Sequence, residues 1–283
     1  MIQLKNDILT VEISPVGAEI HHVIDKNGVE RIWQNESGAW DSHTPLLFPI
    51  AGAIKDDTWY YEGKPYKMTK HGFVRRETFE VEEADESRAV LALTGEKMKH
   101  DGYPFDVELR VIYTLSGNSV IVDYKVTNVS DKEAYFSVGA HEGYACPGGI
   151  EKYELVFPED DELDQTLLNG SLLRHETAAW KLDNHVLNVK PEDFKNDALS
   201  FLSAKSRVVT LRAKDGSRSV TVDFNGFDTL FIWQKVGEDY LCIEPWCNAP
   251  DFEDADQQLV NKPGMMKVEK GESRKVTHTL TFE

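Results

Sequence analysis

Val107-Glu108-Leu109-Arg110-Val111-Ile112-Tyr113 and Val120-Ile121-Val122-Asp123-Tyr124-Lys125-Val126 are two runs in which apolar and polar residues alternate. The turn-forming residues Ser116-Gly117-Asn118 lie between them. Alternation with a period of two is typical of a β-strand that buries one of its faces. Glycine and asparagine between two such runs predict a tight turn. This stretch therefore predicts an antiparallel β-hairpin, and the same pattern recurs along the chain.

Strand-like runs occupy most of the remaining sequence. A second hairpin is predicted from Trp59-Tyr60-Tyr61 to Tyr66-Lys67-Met68, and further strands are predicted at residues 8–13, 208–212, 220–224, 230–234, 241–244 and 275–282. Helical periodicity is scarce, and short helices are predicted only within 160–180 and 191–199. Many strands without alternating helices favour an all-β antiparallel sandwich or barrel. Because no Pro/Gly/Ser-rich linker divides the chain, we predict one domain over residues 1–283.

The net charge and the cysteine count indicate which kinds of partner and which compartment to expect. The chain has 31 basic and 49 acidic residues and a formal net charge of −18. A surface this negative repels phosphate backbones and anionic lipid, so neither nucleic acid nor a membrane is expected as a partner. The N-terminus lacks the pattern of a signal peptide. The three cysteines are few and odd in number, so we expect reduced thiols in a cytoplasmic protein.

Three short segments carry the residues suited to catalysis. They are Lys70-His71-Gly72-Phe73-Val74-Arg75, Gly139-Ala140-His141-Glu142-Gly143-Tyr144 and Cys242-Ile243-Glu244-Pro245-Trp246. Each lies where a strand-like run meets glycine, proline or an aromatic residue. Two histidines and a carboxylate presented in this way predict an acid–base site assembled by a β-fold. Taken singly, each also has a structural interpretation: His141 as a surface residue, or Glu244 as a strand end facing solvent.

The order and local sequences of these segments resemble those of the aldose 1-epimerase (galactose mutarotase) family, most closely its bacterial LacX-like branch. The resemblance covers nearly the whole chain and implies a large antiparallel two-sheet β-supersandwich with few short helices. It further implies that His141 is the general acid and Glu244 the general base. His71 is implied to hydrogen-bond the substrate near its ring oxygen and to help fix His141.

The resemblance also implies which residues bind the sugar. Asp197 matches the segment whose aspartate holds sugar hydroxyls, and Arg75 is a candidate donor to sugar oxygens. Trp246 and Phe73 are candidate stacking surfaces. The implied partner is a small-molecule sugar, bound by a monomer or homodimer. No cofactor and no metal are expected, since the sequence lacks their motifs.

The implied reaction is the interconversion of α and β anomers of a hexose. It requires that the C1 hydroxyl lose a proton while the ring oxygen gains one. A carboxylate and an imidazolium perform both transfers, so Glu244 is expected ionised and His141 protonated, a pairing that their mutual attraction would favour.

Two departures from the family pattern leave the substrate open. Relatives commonly carry an arginine where this chain has Ala53, and often read His-Pro-Ala-Phe where it has His141-Glu142-Gly143-Tyr144. Both suggest an altered substrate pocket. One alternative is a 1-epimerase of hexose 6-phosphate or another anionic sugar, because Lys55, Lys70, Arg75 and Arg76 lie near the candidate site in sequence. Another is a mutarotase-like protein that binds or senses carbohydrate without turnover.

Overall fold

The computed structural model describes residues 1–283 and consists of 22 β-strands and six single-turn 3₁₀ helices. The strands are β1 (Ile2–Lys5), β2 (Leu9–Ser14), β3 (Glu19–Asp25), β4 (Thr58–Tyr61), β5 (Lys64–Lys67), β6 (Glu80–Ala84), β7 (Arg88–Leu93), β8 (Val107–Ser116), β9 (Ser119–Asn128), β10 (Ala134–Phe136), β11 (Glu142–Ala145), β12 (Tyr153–Val156), β13 (Glu162–Asn169), β14 (Leu172–Lys181), β15 (Val186–Leu187), β16 (Leu199–Phe201), β17 (Val208–Ala213), β18 (Ser219–Asp223), β19 (Thr229–Trp233), β20 (Tyr240–Trp246), β21 (Met266–Val268) and β22 (Ser273–Phe282). The 3₁₀ helices are Lys55–Asp57, Val74–Arg76, Gly95–Met98, Ile150–Lys152, Pro191–Phe194 and Leu259–Asn261. The predicted all-β fold is confirmed.

Two large antiparallel sheets form the body of the protein. One has nine strands in the order β15-β12-β17-β18-β22-β9-β8-β7-β6, and the other has six in the order β11-β20-β19-β16-β13-β14. Apolar side chains from both sheets belong to one buried cluster, with members from Leu4 to Phe282. Burying a large aliphatic side chain stabilises the fold by about 1.5–3 kcal/mol, so this shared core holds the sheets together.

The predicted hairpin at 107–126 is confirmed as the centre of the larger sheet. β8 and β9 pair over ten residues each, with Val107 opposite Asn128 and Ser116 opposite Ser119. Burial alternates along both strands, so that Leu109 and Val111 lie in the core while Arg110 lies on the outer face. The alternation in sequence is thus the alternation of the pleat.

The two predicted helical segments are corrected by the structure. Residues 160–180 form most of the β13–β14 hairpin, which turns at Gly170. β14 is the edge of the smaller sheet, and its mixed polar and apolar residues are largely exposed, so the period of two is weak there. The 191–199 stretch contains only the 3₁₀ turn Pro191–Phe194, closed by a 2.7 Å hydrogen bond from the Lys190 backbone N–H to Asp193. It then continues into β16.

No helix in the structure is long and apolar enough to cross a membrane. Cys146, Cys242 and Cys247 are all unpaired and buried.

Candidate active site

Two neighbouring strands of the six-stranded sheet bring His141 and Glu244 together. Glu142, the first residue of β11, lies opposite Ile243 of β20. His141 precedes Glu142, and Glu244 follows Ile243 on the antiparallel partner. Successive side chains of a strand point to opposite faces, so His141 and Glu244 share the face away from the core. Pairing of β11 with β20 thus joins two residues that are 103 positions apart.

The imidazole and the carboxylate are in direct contact. His141 Nε2 lies 3.3 Å from Glu244 Oε2, and the two side chains are 11% and 2% exposed. The other polar atom of each group, His141 Nδ1 and Glu244 Oε1, is buried without a hydrogen-bond partner. A buried polar atom left unpaired costs about 1–3 kcal/mol. A bound ligand or water is one way to satisfy such an atom.

Burial sets the protonation of this pair. It lowers the pKa of His141 to about 3 and raises the pKa of Glu244 well above its ordinary value. In both residues removal from water disfavours the charged form, and this effect is the largest. The free site therefore favours a protonated Glu244 beside a neutral His141. The expected ion pair was drawn from mutual attraction, and the cost of burying two charges opposes it.

His71 is held with one ring nitrogen engaged by the backbone. The ring Nδ1 accepts a 3.1 Å hydrogen bond from the Gly52 backbone N–H, and the His71 backbone N–H donates to Gly52 O at 2.9 Å. Burial lowers the pKa of His71 well below its ordinary value, so the ring is neutral. An accepting Nδ1 places the proton on Nε2. His71, whose ring lies 5.7 Å from that of His141, is therefore a hydrogen-bond donor beside the pair.

The turn that presents His71 depends on Gly72. Both residues have a left-handed backbone, with φ of 72° and 68°. A Cβ at position 72 would overlap the carbonyl oxygen of Phe48. Only glycine satisfies both the close approach and the left-handed conformation at this point.

A cavity of about 260 Å³ opens over the pair and is lined by His71, His141 and Glu244. Its other lining residues are Trp40, Pro45, Lys70, Arg75, Leu168, Ser171, Asp197, Ala198, Phe231, Trp233, Trp246 and Pro250. Aromatic faces, charged groups and a buried acid–base pair thus converge on a space suited to one small polar molecule.

Comparison with known proteins identifies the family. Residues 1–281 match the aldose 1-epimerase family over almost the entire chain. The chain belongs to the aldose 1-epimerase family. The plasmid-encoded protein LacX of Lactococcus lactis subsp. lactis is 31% identical over 295 aligned residues, covering 99% of each chain.

Solved structures of similar proteins share the fold. A galactose mutarotase related enzyme from Lactobacillus acidophilus has a TM-score of 0.93 and 29% identity, covering 99% of this chain and 96% of its own. A galactose mutarotase-like protein from Lactobacillus casei has a TM-score of 0.90 and 22% identity, covering 100% of both chains. The predicted galactose mutarotase-like fold is confirmed.

The cavity of this aldose 1-epimerase family member has a charged rim. Lys70 Nζ lies 3.3 Å from Asp197 Oδ2, and both side chains are partly exposed. Arg75 makes only a long 3.4 Å hydrogen bond to the Lys70 carbonyl and has no carboxylate within ion-pair distance. The predicted residues Asp197 and Arg75 therefore both reach the cavity. Arg75 has donors free for a ligand.

The aromatic predictions fare differently from one another. Trp246 lines the cavity, where its Nε1 donates to Ala140 O at 3.1 Å and its ring stacks on Phe231. Phe73 does not line the cavity. The chain turns through His71 and Gly72, and the Phe73 ring then stacks on His100 at 4.5 Å. We correct the role proposed for Phe73 on this ground.

Trp40 lines the cavity but was not predicted from the sequence as a site residue. It stacks on His141 with ring centroids 5.2 Å apart and meets Trp233 edge-on at 5.6 Å. Gly143 makes room for it, since a Cβ at position 143 would lie 2.7 Å from the Trp40 ring. Trp40 is remote in sequence from the segments that carry His71, His141 and Glu244, and it belongs to no strand. Only the absence of a side chain at Gly143 hinted at a bulky neighbour.

The structure shows where the two departures from the family pattern lie relative to the cavity. Glu142 points away from the cavity into the core, where its Oε1 lies 2.9 Å from His278 Nε2 of β22. Tyr144 is also in the core, so only Gly143 of this trio faces the site. Ala53 is 6% exposed and does not line the cavity. The expectation that Ala53 reshapes the substrate pocket is therefore corrected.

A second cavity of about 490 Å³ lies on the other side of Pro250, which lines both spaces. Its walls come largely from residues 247–264. Its only histidine, His175, is an exposed side chain paired with Asp254 at 3.0 Å. This cavity is larger, and it holds a buried pair of its own, Lys262 and Asp251. Lys262 Nζ is already hydrogen-bonded to Asp251 at 2.5 Å and to Ala249 O at 2.8 Å. We assign the site to the smaller cavity, because its acid–base pair keeps unpaired polar atoms.

Proposed function

We propose that the protein is an aldose 1-epimerase that interconverts the α and β anomers of a hexose. The observation that supports this most directly is the contact between His141 and Glu244 at the base of a cavity that fits a small polar ligand. Membership of the aldose 1-epimerase family supports the same reaction.

The proton count of the pair suits anomerisation. Opening the cyclic hemiacetal takes one proton from the C1 hydroxyl and gives one to the ring oxygen. A pair that holds a single mobile proton can supply the donor and the acceptor together, and closing the ring on the other face restores it. Proton transfer from each positioned group contributes roughly 10²–10⁴-fold. The transfers themselves require no change of oxidation state.

Substrate binding would redistribute the proton within the pair. In the free site burial favours protonated Glu244, whereas a general base must be ionised. The unpaired Glu244 Oε1 is an acceptor for a sugar hydroxyl. Hydrogen bonds to the ionised form lower a carboxyl pKa. We propose that a bound sugar in this way moves the proton to His141 and prepares Glu244 as base and His141 as acid.

The remaining residues would orient the sugar. His71 offers its Nε2–H beside His141, which suits a hydrogen bond to an oxygen near the ring oxygen. Asp197 and Lys70 offer an acceptor and a donor at the rim. Trp40 and Trp233 present partly exposed rings on which the apolar face of a pyranose can stack.

The direct test is mutarotation followed by polarimetry or NMR exchange spectroscopy on a panel of aldoses. We expect catalysis on at least one neutral hexose, and loss of it in His141→Gln. Ordinary uncatalysed rates on every sugar, together with measurable sugar binding, would instead establish a carbohydrate-binding protein without turnover.

The free guanidinium of Arg75 supports a second candidate, an anionic-sugar 1-epimerase. Lys70 and Arg75 both line the cavity, and Arg75 has no carboxylate partner. An arginine with unused donors suits bidentate recognition of phosphate or carboxylate. Including 6-phosphates in the panel separates the candidates. A higher kcat/KM for the phosphate, abolished selectively in Arg75→Gln, would favour the anionic substrate.

A further inference from the structure

A third ligand-type residue lies beside the acid–base pair. Cys242 precedes Glu244 by two residues on β20, so both side chains project from the same face of the sheet. One donor atom from each of His141, Cys242 and Glu244 can be chosen so that all three lie within 4.8 Å of one another, and all three residues are buried. Cys242 has no part in the proton transfers proposed above.

The spacing of these atoms approaches that of a tetrahedral zinc site. Zn²⁺ binds nitrogen and oxygen at about 2.0–2.2 Å and thiolate sulfur at about 2.3 Å. Tetrahedral angles then put neighbouring ligand atoms roughly 3.4–3.6 Å apart. His141 Nε2 and Glu244 Oε2 already lie 3.3 Å apart. The Cys242 sulfur lies within 4.8 Å of a donor atom of each of the other two residues, so a shift of about 1 Å would bring such atoms to the spacing of a zinc shell.

The unsatisfied atoms of the pair strengthen this assignment. Glu244 is 1% exposed, and its Oε1 has no hydrogen-bond partner. Coordination of a cation by Glu244, with release of its proton, would satisfy an atom that the protein leaves unpaired. His141 and Glu244 line the cavity, so an ion can enter there and keep a water as fourth ligand.

The donor set also selects the kind of ion. One thiolate, one imidazole and one carboxylate suit a soft or borderline cation, whereas Mg²⁺ and Ca²⁺ prefer oxygen ligands only. The missing hydrogen bond on the other His141 nitrogen argues for reversible binding. Metal-ligating histidines normally donate their other ring N–H to a partner, and His141 Nδ1 has none.

We propose that His141, Cys242 and Glu244 form an inhibitory binding site for Zn²⁺ and similar thiophilic cations. Binding forms Zn–N, Zn–S and Zn–O bonds, and the thiol proton and the proton of the acid–base pair pass to solvent. The ion occupies both groups needed for proton transfer, so metal binding and anomerisation exclude each other. Binding itself does not depend on the proposed function, whereas inhibition rests on it.

The test is metal titration of the chelator-treated protein, with Co²⁺ as a spectroscopic probe for Zn²⁺. We expect one equivalent to bind, with a thiolate-to-cobalt charge-transfer band and no response to Mg²⁺. Cys242→Ser should lose the band and bind Zn²⁺ at least tenfold more weakly in competition with a chromophoric chelator. Cys146→Ser and Cys247→Ser, which remove the other buried thiols, should behave as wild type.

X-ray absorption spectroscopy of the zinc-loaded wild-type protein tests the site without any variant. We expect one sulfur ligand per Zn²⁺. A zinc shell without sulfur, or a failure to bind one equivalent, would overturn the proposal. An unchanged affinity in folded Cys242→Ser would also overturn it. In the mutarotation assay, wild type should lose activity in step with zinc occupancy. If the chelator-treated, metal-free protein never catalyses mutarotation but still binds zinc through sulfur, the proposed function is refuted and the zinc site is supported.

Discussion

Replacing Glu244 by glutamine tests both the chemistry and the protonation of the site. The amide keeps the shape of the side chain but cannot exchange the proton. We expect the mutarotation rate to fall by about 10²–10⁴-fold in a folded protein, the usual contribution of a positioned acid–base group. Polarimetry of wild type and Glu244→Gln at equal concentration measures this loss. A variant with near-wild-type activity would refute the assignment of Glu244.

The same variant has a predicted effect on stability. Burial raises the pKa of Glu244 in the folded protein above the 4.5 that it has when exposed. Between these two values the unfolded chain is ionised while the folded protein keeps the proton, so rising pH favours unfolding. The contribution of Glu244 to the free energy of unfolding is therefore greatest below about pH 4.5, and it falls as pH rises towards the folded pKa. Glutamine does not titrate and escapes this loss.

The size of the effect follows from the linkage relation. Each pH unit in this window is worth up to about 1.4 kcal/mol for one proton. From pH 4.5 to 6.5, Glu244→Gln should gain up to about 3 kcal/mol relative to wild type. Urea unfolding at several pH values measures this difference, and Glu192→Gln, on the surface, serves as control. If the folded protein instead held Glu244 ionised, the carboxyl would bind no proton in either state above about pH 4.5, and its own titration would contribute no such rise between pH 4.5 and 6.5.

Three further substitutions test the structure around the site. Glu142→Leu leaves His278 buried without its partner, so it should lose about 3–5 kcal/mol of unfolding free energy in urea, whereas Glu142→Gln keeps an acceptor and should lose much less. A similar loss in both would show that the contact with His278 is unimportant. Gly72→Ala should be destabilised well beyond the roughly 1–3 kcal/mol of a left-handed backbone, because its Cβ also meets Phe48. The control Gly63→Ala has φ of 75° with nothing within 4 Å and should show only the backbone cost; equal losses would contradict the predicted overlap. Ala53→Arg should lower the Tm, since the guanidinium would be buried without a partner, and leave KM unchanged in the folded protein. An altered KM at wild-type stability would place position 53 in the pocket after all.

The sequence determined the class of fold through a local property. In the β8–β9 hairpin, the alternation of Leu109, Arg110 and Val111 is itself the pleat of a strand with one buried face. That signal weakens where both faces are exposed, and β14 was predicted wrongly for this reason. The catalytic candidates were also found from sequence, because His71, His141 and Glu244 lie in distinctive segments beside glycine and proline.

The tertiary structure alone decided how these residues meet. Contact between His141 and Glu244 depends on the register of β11 against β20, and no local pattern specifies the pairing of strands about 100 residues apart. The same register turns Glu142 inward to His278 and leaves Gly143 beneath Trp40. The protonation of His141 and Glu244 also depends on the tertiary structure. Residue types show that the two groups can attract each other, but they do not show how deeply the groups are buried. A sequence names the groups that can ionise, and the folded protein decides how much water surrounds them.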